Sequence, residues 1–422
     1  MAGSMSPPGR ASMTTRITGL AALLTLGLVG CGYGHGDIEP GVYRTVLQLP
    51  GGELPFGLDL EHESSGWVGY LLNGPERLKL SEVTVEGSHL QIKMPGYLNR
   101  LTADTRGNRL QGEVVISKPE GKDQHLPLSA EFKQTYRFFP QRSPSAVDVS
   151  GRWSVTFTDD NGKEEAAVGE FSQANDEVTG TFLTDTGDHR YLAGQVQGNQ
   201  LFLSTFDGAH AFLYKAKLTG VNGALEGDFW SGSALHRHWI AKRDAHAALA
   251  DSYSVTAMRS GDSKFAFAFP DLDGKTVTSE DEQFRGKVLV IALGGSWCPN
   301  CHDEAAFLAP MYEEYRGKGL EIVSLMFEHF GDFDRAAAAT RRFRQQFNIH
   351  YTTLIAGISD TDEAAKKLPM LQTFYGFPTT VIVDRKGQVR KIHTGFSGPA
   401  TGEHYTQFVK EFRDNLNQLL AE

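Results

Sequence analysis

The chain has 422 residues, of which 40% are hydrophobic and 22% are charged, and its formal net charge is −10. This length exceeds one ordinary domain and predicts two or three. The acidic balance provides no basic stripe for a phosphate backbone, which argues against nucleic acid as a partner. The three cysteines are Cys31, Cys298 and Cys301, too few for a disulfide framework that would stabilise the long middle of the chain.

The first 31 residues have the layout of an export signal. Arg10 and Arg16 precede an apolar run over residues 17–29, which is shorter than the roughly 20 residues that span a bilayer. The run ends in Leu28-Val29-Gly30-Cys31, which resembles the bacterial lipobox, in which the cysteine is acylated and becomes the new N-terminus. We predict a lipoprotein signal peptide over 1–31, with acylated Cys31 in the lipid bilayer. The alternative is an ordinary signal peptide followed by a chance cysteine.

These features predict an exported protein that is lipid-anchored in the cell envelope. Met13 is an alternative start, because it would give a shorter basic lead. Gly32 follows the lipid site, where an Asp is associated with retention in the inner membrane. In a cell with two membranes we therefore favour the outer membrane, with the protein facing the periplasm.

Residues 32–243 predict two β-rich modules, over 32–143 and 147–243, joined by a short Pro- and Ser-containing linker. Short apolar alternations separated by Gly and Asn turns are typical of antiparallel strands. We interpret each module as a small barrel or sandwich, an architecture that limits exposed sheet edges. Four patterns recur in order after about 110 residues and suggest a repeat: Gly41-Val42-Tyr43 with Gly151-Arg152-Trp153, Gly69-Tyr70-Leu71 with Gly180-Thr181-Phe182, the segments 86–90 and 197–201, and the segments 110–113 and 225–228.

Two roles stay open for the modules. They either bind a partner or small ligand, or they are spacers that lift the last domain from the membrane. His236 and His238 share one face of a strand but lack further metal ligands, so we predict an exposed strand face and no metal site. Residues 244–262 form the predicted linker to the last domain.

From residue 263 to 422 apolar strands alternate with helical stretches, the pattern of an α/β domain. The run from Val288 to Leu293 has no polar alternation and predicts a buried strand. The further predicted elements are a helix to about 316, a strand over 321–326, helices over 333–347 and 362–375, strands over 379–383 and 389–393, and a helix over 403–421.

Cys298 and Cys301 are separated by two residues at the junction between this strand and the next helix. Pro299 suits the first helical turn, where no backbone donor is needed, so Cys298 is predicted at the helix N-terminus. The unpaired amides and the macrodipole favour a thiolate there. Such a thiolate is a good leaving group when Cys301 attacks it in a mixed disulfide.

The segment Trp297-Cys298-Pro299-Asn300-Cys301, with Glu304 and the later Gly376-Phe377-Pro378-Thr379-Thr380, resembles the TlpA and ResA group of membrane-attached thioredoxin-fold thiol-disulfide reductases. The resemblance covers about residues 262–422. It implies a thioredoxin-like fold for the α/β domain, so the predicted chain is multidomain, with two all-β modules before that domain. It also implies a redox-active disulfide between Cys298 and Cys301 and no other cofactor.

The resemblance implies roles for four further residues. Pro378 would follow a cis peptide bond and shape the substrate groove, and the backbone of Phe377 would pair with an incoming peptide. Trp297 would lean over the active site, although core packing is the alternative. Glu304 would handle protons near the cysteines, and a solvated helix carboxylate is the alternative. Ala292 replaces the acidic or amide residue of the family, so Glu304 would act alone.

The cysteine pair predicts a thiol-disulfide oxidoreductase. The family resemblance implies a reductase that acts on disulfides of exported proteins such as apocytochromes and is kept reduced by a membrane thiol donor. An isomerase or an oxidant on the same fold is the alternative direction. A thiol peroxidase is disfavoured because Gly295 stands where that family has a hydroxyl. Zinc is disfavoured because a structural site needs four ligands. A last alternative is a lipid-anchored binding protein that uses its β modules and carries an inert disulfide.

Overall fold

The computed structural model describes residues 38–142, 145, 147–219 and 223–422. The predicted signal peptide and Cys31 lie outside these residues. None of the helices in the described part of the chain has both the length and the apolar character that crossing a bilayer requires.

Module 1 is a nine-stranded antiparallel sheet with the strand order β4-β3-β2-β1-β9-β8-β7-β6-β5. Its strands alternate buried and exposed residues, because successive side chains point to opposite faces. The bounds are β1 Gly41–Leu49, β2 Gly52–Glu63, β3 Gly66–Asn73, β4 Glu76–Lys79, β5 Glu82–Glu86, β6 His89–Lys93, β7 Arg100–Arg106, β8 Arg109–Ile116 and β9 Gln124–Phe132.

Module 2 is a closed barrel, because its sheet order β11-β10-β18-β17-β16-β15-β14-β12 is completed by pairing of β12 with β11. The short β13 pairs with β12. The bounds are β10 Gly151–Asp159, β11 Glu164–Ala174, β12 Glu177–Thr184, β13 Gly187–Asp188, β14 Leu192–Gln197, β15 Gln200–Phe206, β16 Ala211–Thr219, β17 Ala224–Ser231 and β18 Leu235–Arg243. The predicted class of small all-β modules is confirmed.

When β1 to β9 of module 1 are matched to β10 to β18 of module 2, the neighbouring strands correspond, except that β12 pairs with β14 and the described strands β3 and β5 do not pair. The four recurring patterns fall at equivalent places, on β1 and β10, on β3 and β12, at the β5–β6 and β14–β15 turns, and on β8 and β17. The exact domain boundaries stay predictions.

Aromatic side chains fill the interior of the barrel of module 2. Trp153, Phe182, Tyr214 and Trp239 are fully buried there. The core of module 1 is mainly aliphatic and also takes up residues of module 2, since Phe206 packs against Phe56 with ring centroids 4.9 Å apart. The modules therefore share part of one core.

The C-terminal domain has a five-stranded sheet with the order β24-β23-β22-β26-β27, in which β26 and β27 are antiparallel to their neighbours. Four helices accompany it. The bounds are β19 Ala257–Met258, β20 Ala268–Pro270, β21 Thr276–Thr278, β22 Val288–Gly294, α1 Pro299–Tyr315, β23 Leu320–Glu328, α2 Phe333–Phe347, β24 Thr352–Ile358, α3 Thr361–Lys367, β25 Leu371–Thr373, β26 Thr379–Val383, β27 Val389–Thr394 and α4 Glu403–Ala421.

All of β22 is buried because the sheet is covered on both faces. Successive side chains of β22 point to opposite faces of the sheet. Leu289, Ile291 and Leu293 join the cluster that contains both cysteines, whereas Val288 and Val290 join the cluster formed with α1 and α4. The strand thus fixes the start of α1 between two packed layers.

The predicted helix over 362–375 is wrong in its second half. The helix α3 ends at Lys367, and the chain continues through Pro369 into β25, which pairs with β19. A residue before proline is disfavoured in the helical region, which explains the stop at Leu368. The strand partner of β25 comes from the segment 244–262, so that segment contributes to the C-terminal domain.

Candidate functional site

Cys298 and Cys301 form a disulfide at the N-terminus of α1, with their Cα atoms 5.2 Å apart. Cys298 is the N-cap residue, and its Sγ accepts a hydrogen bond from the backbone N–H of Cys301 at 3.3 Å. Both residues are at most 5% exposed. When the disulfide is reduced, the same amide and the helix dipole favour a thiolate on Cys298.

Trp297 forms an aromatic wall beside the disulfide. Its indole N–H donates to the carbonyl of Phe327 at 2.7 Å, and its rings stack on His329 with centroids 4.9 Å apart. Phe377 meets the indole edge-on at 6.0 Å, and the Phe377-Pro378 peptide bond is cis. Trp297, Phe377 and both cysteines belong to one apolar cluster. Burial lowers the pKa of His329 to about 4, so this wall is uncharged at neutral pH.

Glu304 is buried and is therefore not a solvated helix carboxylate. The hydroxyl of Thr380 donates a hydrogen bond to its Oε1. Burial raises the pKa of Glu304 to about 7. Glu304 follows Cys301 by three residues on one helix face, and the two side chains line one small cavity together with Ala292, Ser324 and Tyr351. A proton acceptor with a pKa near neutrality thus lies behind the second cysteine.

Module 2 covers one flank of the cysteine segment. The side-chain amide of Asn300 donates to the carbonyls of Asp188 at 3.0 Å and Phe396 at 3.3 Å. Gly187 forms an isolated parallel bridge with Phe396, and the hydroxyl of Tyr375 donates to Asp185 at 3.0 Å. Asn300, one of the two residues between the cysteines, is therefore bound by a neighbouring module.

A buried ion cluster around Arg190 joins all three parts of the molecule. Its guanidinium lies 3.0 Å from Glu76 of module 1, 3.2 Å from Asp207 of module 2 and 2.8 Å from Asp303 on α1. Burial raises the pKa of Asp303 to about 7, although Arg190 opposes this shift. Sequence reasoning missed the cluster, because its members are distant in sequence and follow no motif.

His302, the residue after Cys301, is bound by module 1. Its ring stacks on Tyr97 with centroids 3.9 Å apart, and its Nε2 donates to the carbonyl of Ser296 at 2.7 Å. Burial lowers the pKa of His302 to about 3. Both β modules therefore contact α1 close to the disulfide.

A cleft of about 340 Å³ opens beside Trp297 and Pro299, the two neighbours of Cys298 in sequence. Its other side is formed by module 1, through Tyr97, Asn99 and Lys118, and by His210 of module 2. This size is typical of ligand pockets.

The pair His236 and His238 lies on β18, far from the cysteines in sequence. His236 lies 3.2 Å from Asp160 and 3.0 Å from Asp228, and His238 lies 3.7 Å from Asp228. In the described ranges no group of three or more His, Cys, Asp and Glu residues is suited to hold a metal ion.

Comparisons with known proteins match about a third of the chain. The redoxin family model matches residues 259–406. The thiol-disulfide oxidoreductase ResA of Bacillus thuringiensis subsp. konkukian is 26% identical over 145 residues, which are 34% of this chain and 73% of that protein. ResA of Halalkalibacterium halodurans is 23% identical over 152 residues, 36% of this chain and 78% of that protein. A solved thiol-disulfide oxidoreductase from Bacteroides fragilis has a TM-score of 0.27 and 19% identity, and the match covers 35% of this chain and 99% of that one.

Proposed function

We propose that this chain, whose C-terminal domain is a thiol-disulfide oxidoreductase domain of the redoxin family, reduces disulfides of exported proteins through Cys298 and Cys301. The observation that carries the proposal is the position of Cys298 as the N-cap of α1, with the amide of Cys301 directed at its sulfur. That environment stabilises negative charge on sulfur and makes Cys298 both a nucleophile and a leaving group.

In the proposed reaction the thiolate of Cys298 attacks one sulfur of a substrate disulfide. A mixed disulfide forms, and the other substrate sulfur leaves as a thiolate. The thiolate of Cys301 then attacks Cys298, which closes the Cys298–Cys301 disulfide and releases the second substrate thiolate. The substrate gains two electrons and the protein loses two, so the structure corresponds to the oxidised end of the cycle.

Glu304 is proposed as the group that takes the proton from Cys301 before this second attack. Its support is burial, a pKa near 7 and a cavity shared with Cys301. A general base is most effective when its pKa lies near the working pH. Ala292 also lines this cavity and carries no titratable group, so it leaves the proton transfer to Glu304.

Trp297, Phe377 and Pro378 are proposed to form the substrate groove. Trp297 and Phe377 are in edge-to-face contact next to the disulfide. The backbone of Phe377 would pair with an extended substrate segment, and Pro378 would hold that backbone in position. These apolar groups keep water from the reacting sulfurs.

We further propose that Cys31 is acylated and that a membrane thiol carrier returns the electrons. The support is the run 17–29 that ends at Cys31. The protein would then face the periplasm from a lipid anchor. Labelling of cells with a palmitate analogue should mark the wild-type protein and leave a Cys31→Ala variant unlabelled, whereas equal labelling of both would contradict acylation at this residue.

Reduction of insulin disulfides by dithiothreitol tests the enzymatic proposal. The wild-type protein should accelerate insulin precipitation, Cys298→Ser should abolish the acceleration, and Cys301→Ser should accumulate a mixed disulfide. Equal acceleration by wild type and Cys298→Ser would contradict the assigned role. Equilibration with glutathione decides the direction, because a reduction potential well above the glutathione couple would indicate an oxidant or isomerase.

A further inference from the structure

The β modules form part of the wall beside the reacting disulfide. Pro299 and Trp297 lie on one side of the cleft of about 340 Å³, and Tyr97, Asn99 and Lys118 of module 1 lie on the other. On another flank, Asn300 is already bound to Asp188 of module 2. A substrate segment that occupies the cleft beside Trp297 and Pro299 therefore touches module 1 as well as the C-terminal domain.

Lys118 contributes a positive charge to this cleft. Its side chain is partly buried, and burial alone lowers its pKa, with no opposing carboxylate among the described residues. Asp123, five residues further along the chain, accepts a hydrogen bond from the backbone N–H of Lys118 at 3.1 Å. A partly buried ammonium without an ion-pair partner favours a carboxylate ligand.

The other acidic and histidine side chains that line the cleft do not act as a counter-ion for Lys118. Glu328 is buried, and its oxygens accept hydrogen bonds from the backbone N–H of Ser296 at 2.9 Å and from two hydroxyls. His210 lies 3.1 Å from Asp207 and is committed to it. His329 is neutral at pH 7 because burial depresses its pKa; the charge of Lys118 adds to that effect, and the charge of Asp123 opposes it. Lys118 thus lies close enough to His329 to influence the ring that stacks on Trp297.

We propose that this cleft binds the substrate segment next to its disulfide and that Lys118 selects substrates with a carboxylate near the reacting cysteine. The inference rests on the proposed function and adds a substrate class to it. The cleft has room for a few side chains and not for a folded domain, so the segment enters in an extended form. In this view the modules are specificity elements and not spacers.

Peptides that carry one intramolecular disulfide and differ next to the cysteine test the proposal. Three amidated peptides would have Glu, Gln or Lys at that position, and a fourth would have Gln with a free C-terminal carboxylate. The readout is the ratio of kcat/KM for the Glu and Lys peptides within each variant, with dithiothreitol as the reductant. A ratio cancels any general change in activity.

The wild-type protein should prefer the Glu peptide over the Lys peptide by about tenfold. Lys118→Met should bring the ratio close to one, and Lys118→Glu should invert it. Lys79→Glu, a charge reversal at an exposed position of β4, should keep the wild-type ratio. A preference for the fourth peptide over its amidated form would assign the site to terminal carboxylates, and its absence assigns it to acidic side chains.

The same ratio in Lys118→Glu, Lys79→Glu and wild type would overturn the proposal for Lys118 and leave the reductase function intact. If the wild-type protein reduces none of the peptides and does not reduce the neutral hydroxyethyl disulfide, both the proposal for Lys118 and the proposed reductase function are overturned. Lys118→Met keeps the test valid if the glutamate variant does not fold, because methionine adds no buried charge.

Discussion

The imidazole of His302 lies parallel to the phenol ring of Tyr97, with an interplanar angle of 10° and centroids 3.9 Å apart. His302 follows Cys301 directly on α1, and Tyr97 belongs to module 1. This contact therefore ties the position of the redox helix to the packing of a module that lies some 200 residues earlier in the chain.

Gly96 precedes Tyr97, and we predict that adding a side chain at this position destabilises the contact with His302. Its φ is +74°, and a Cβ at this position would lie 2.7 Å from Cε1 of His302. Gly96→Ala should lower the free energy of unfolding by about 2 to 4 kcal/mol, because left-handed strain and overpacking add. Urea unfolding followed by tryptophan fluorescence measures the loss.

Gly107→Ala is the matched control for Gly96→Ala. Gly107 lies in the same module with φ +67°, and a Cβ there would meet no atom within 4 Å. This variant should show the backbone strain alone, about 1 to 2 kcal/mol. Equal losses of unfolding free energy in the two variants would mean that the His302 side chain moves away from the added Cβ without destabilising the protein.

Arg190→Met should destabilise the protein by about 3 to 5 kcal/mol, because Glu76, Asp207 and Asp303 would remain buried without their shared cation. Thermal or urea unfolding tests this directly. Arg77→Met removes an exposed arginine that also pairs with two carboxylates, and its effect should be much smaller. Similar effects of the two substitutions would contradict a structural role for the cluster.

Glu304→Gln should change the pH profile of mixed-disulfide resolution. The pKa of Glu304 is raised to about 7, so the proton-accepting carboxylate becomes available as pH rises through 7. The wild-type rate should rise through this range, and the variant should be slower at pH 8 by on the order of 100-fold without an inflection near 7. Stopped-flow reaction with a small disulfide measures both.

The stability of Glu304→Gln gives an independent check. Because the pKa of Glu304 is higher in the folded protein than in the unfolded chain, ionisation of this carboxyl opposes folding. The destabilisation is complete above the folded-state pKa of about 7 and absent below the unfolded-state pKa of about 4.5. The variant should therefore gain stability relative to wild type as pH rises across this window, by up to about 3 kcal/mol. Glu314 is exposed on the same helix, and its hydrogen bond with Arg413 lowers the pKa of its carboxyl, so Glu314→Gln should show no such gain between pH 4.5 and 7.

His302→Phe should make the protein less sensitive to acid. The folded-state pKa of His302 is lowered to about 3, so between pH 6.5 and 3 only the unfolded chain takes up this proton. The stability of the wild-type protein therefore decreases as the pH is lowered. The variant has no titrating side chain at this position and lacks this loss. The difference between variant and wild type should shift by about 2 kcal/mol between pH 7 and 5. A constant difference across this range would show that His302 is not shielded from protonation.

Much of the C-terminal domain follows from local pattern. The helices over 333–347 and 403–421 and the strand over 379–383 have the bounds that periodicity predicts. The error in the second half of the predicted helix over 362–375 has a local cause. Pro369 ends α3, and the residues after it pair with β19. Alternation in the modules predicts strands, but it does not predict which sheet closes, since module 2 closes through the pairing of β12 with β14 and the described strands β3 and β5 of module 1 do not pair.

The cysteine pair and its place at the start of a helix were readable from the spacing within one strand-helix unit. The aromatic and proline partners were predicted from the resemblance of two motifs to a known family. The burial of Glu304, the Arg190 cluster, the stack of His302 on Tyr97 and the cleft with Lys118 were decided only by tertiary structure. Each of these depends on packing between segments that are distant in the chain, and burial, charge pairing and pKa follow from that packing and not from residue order.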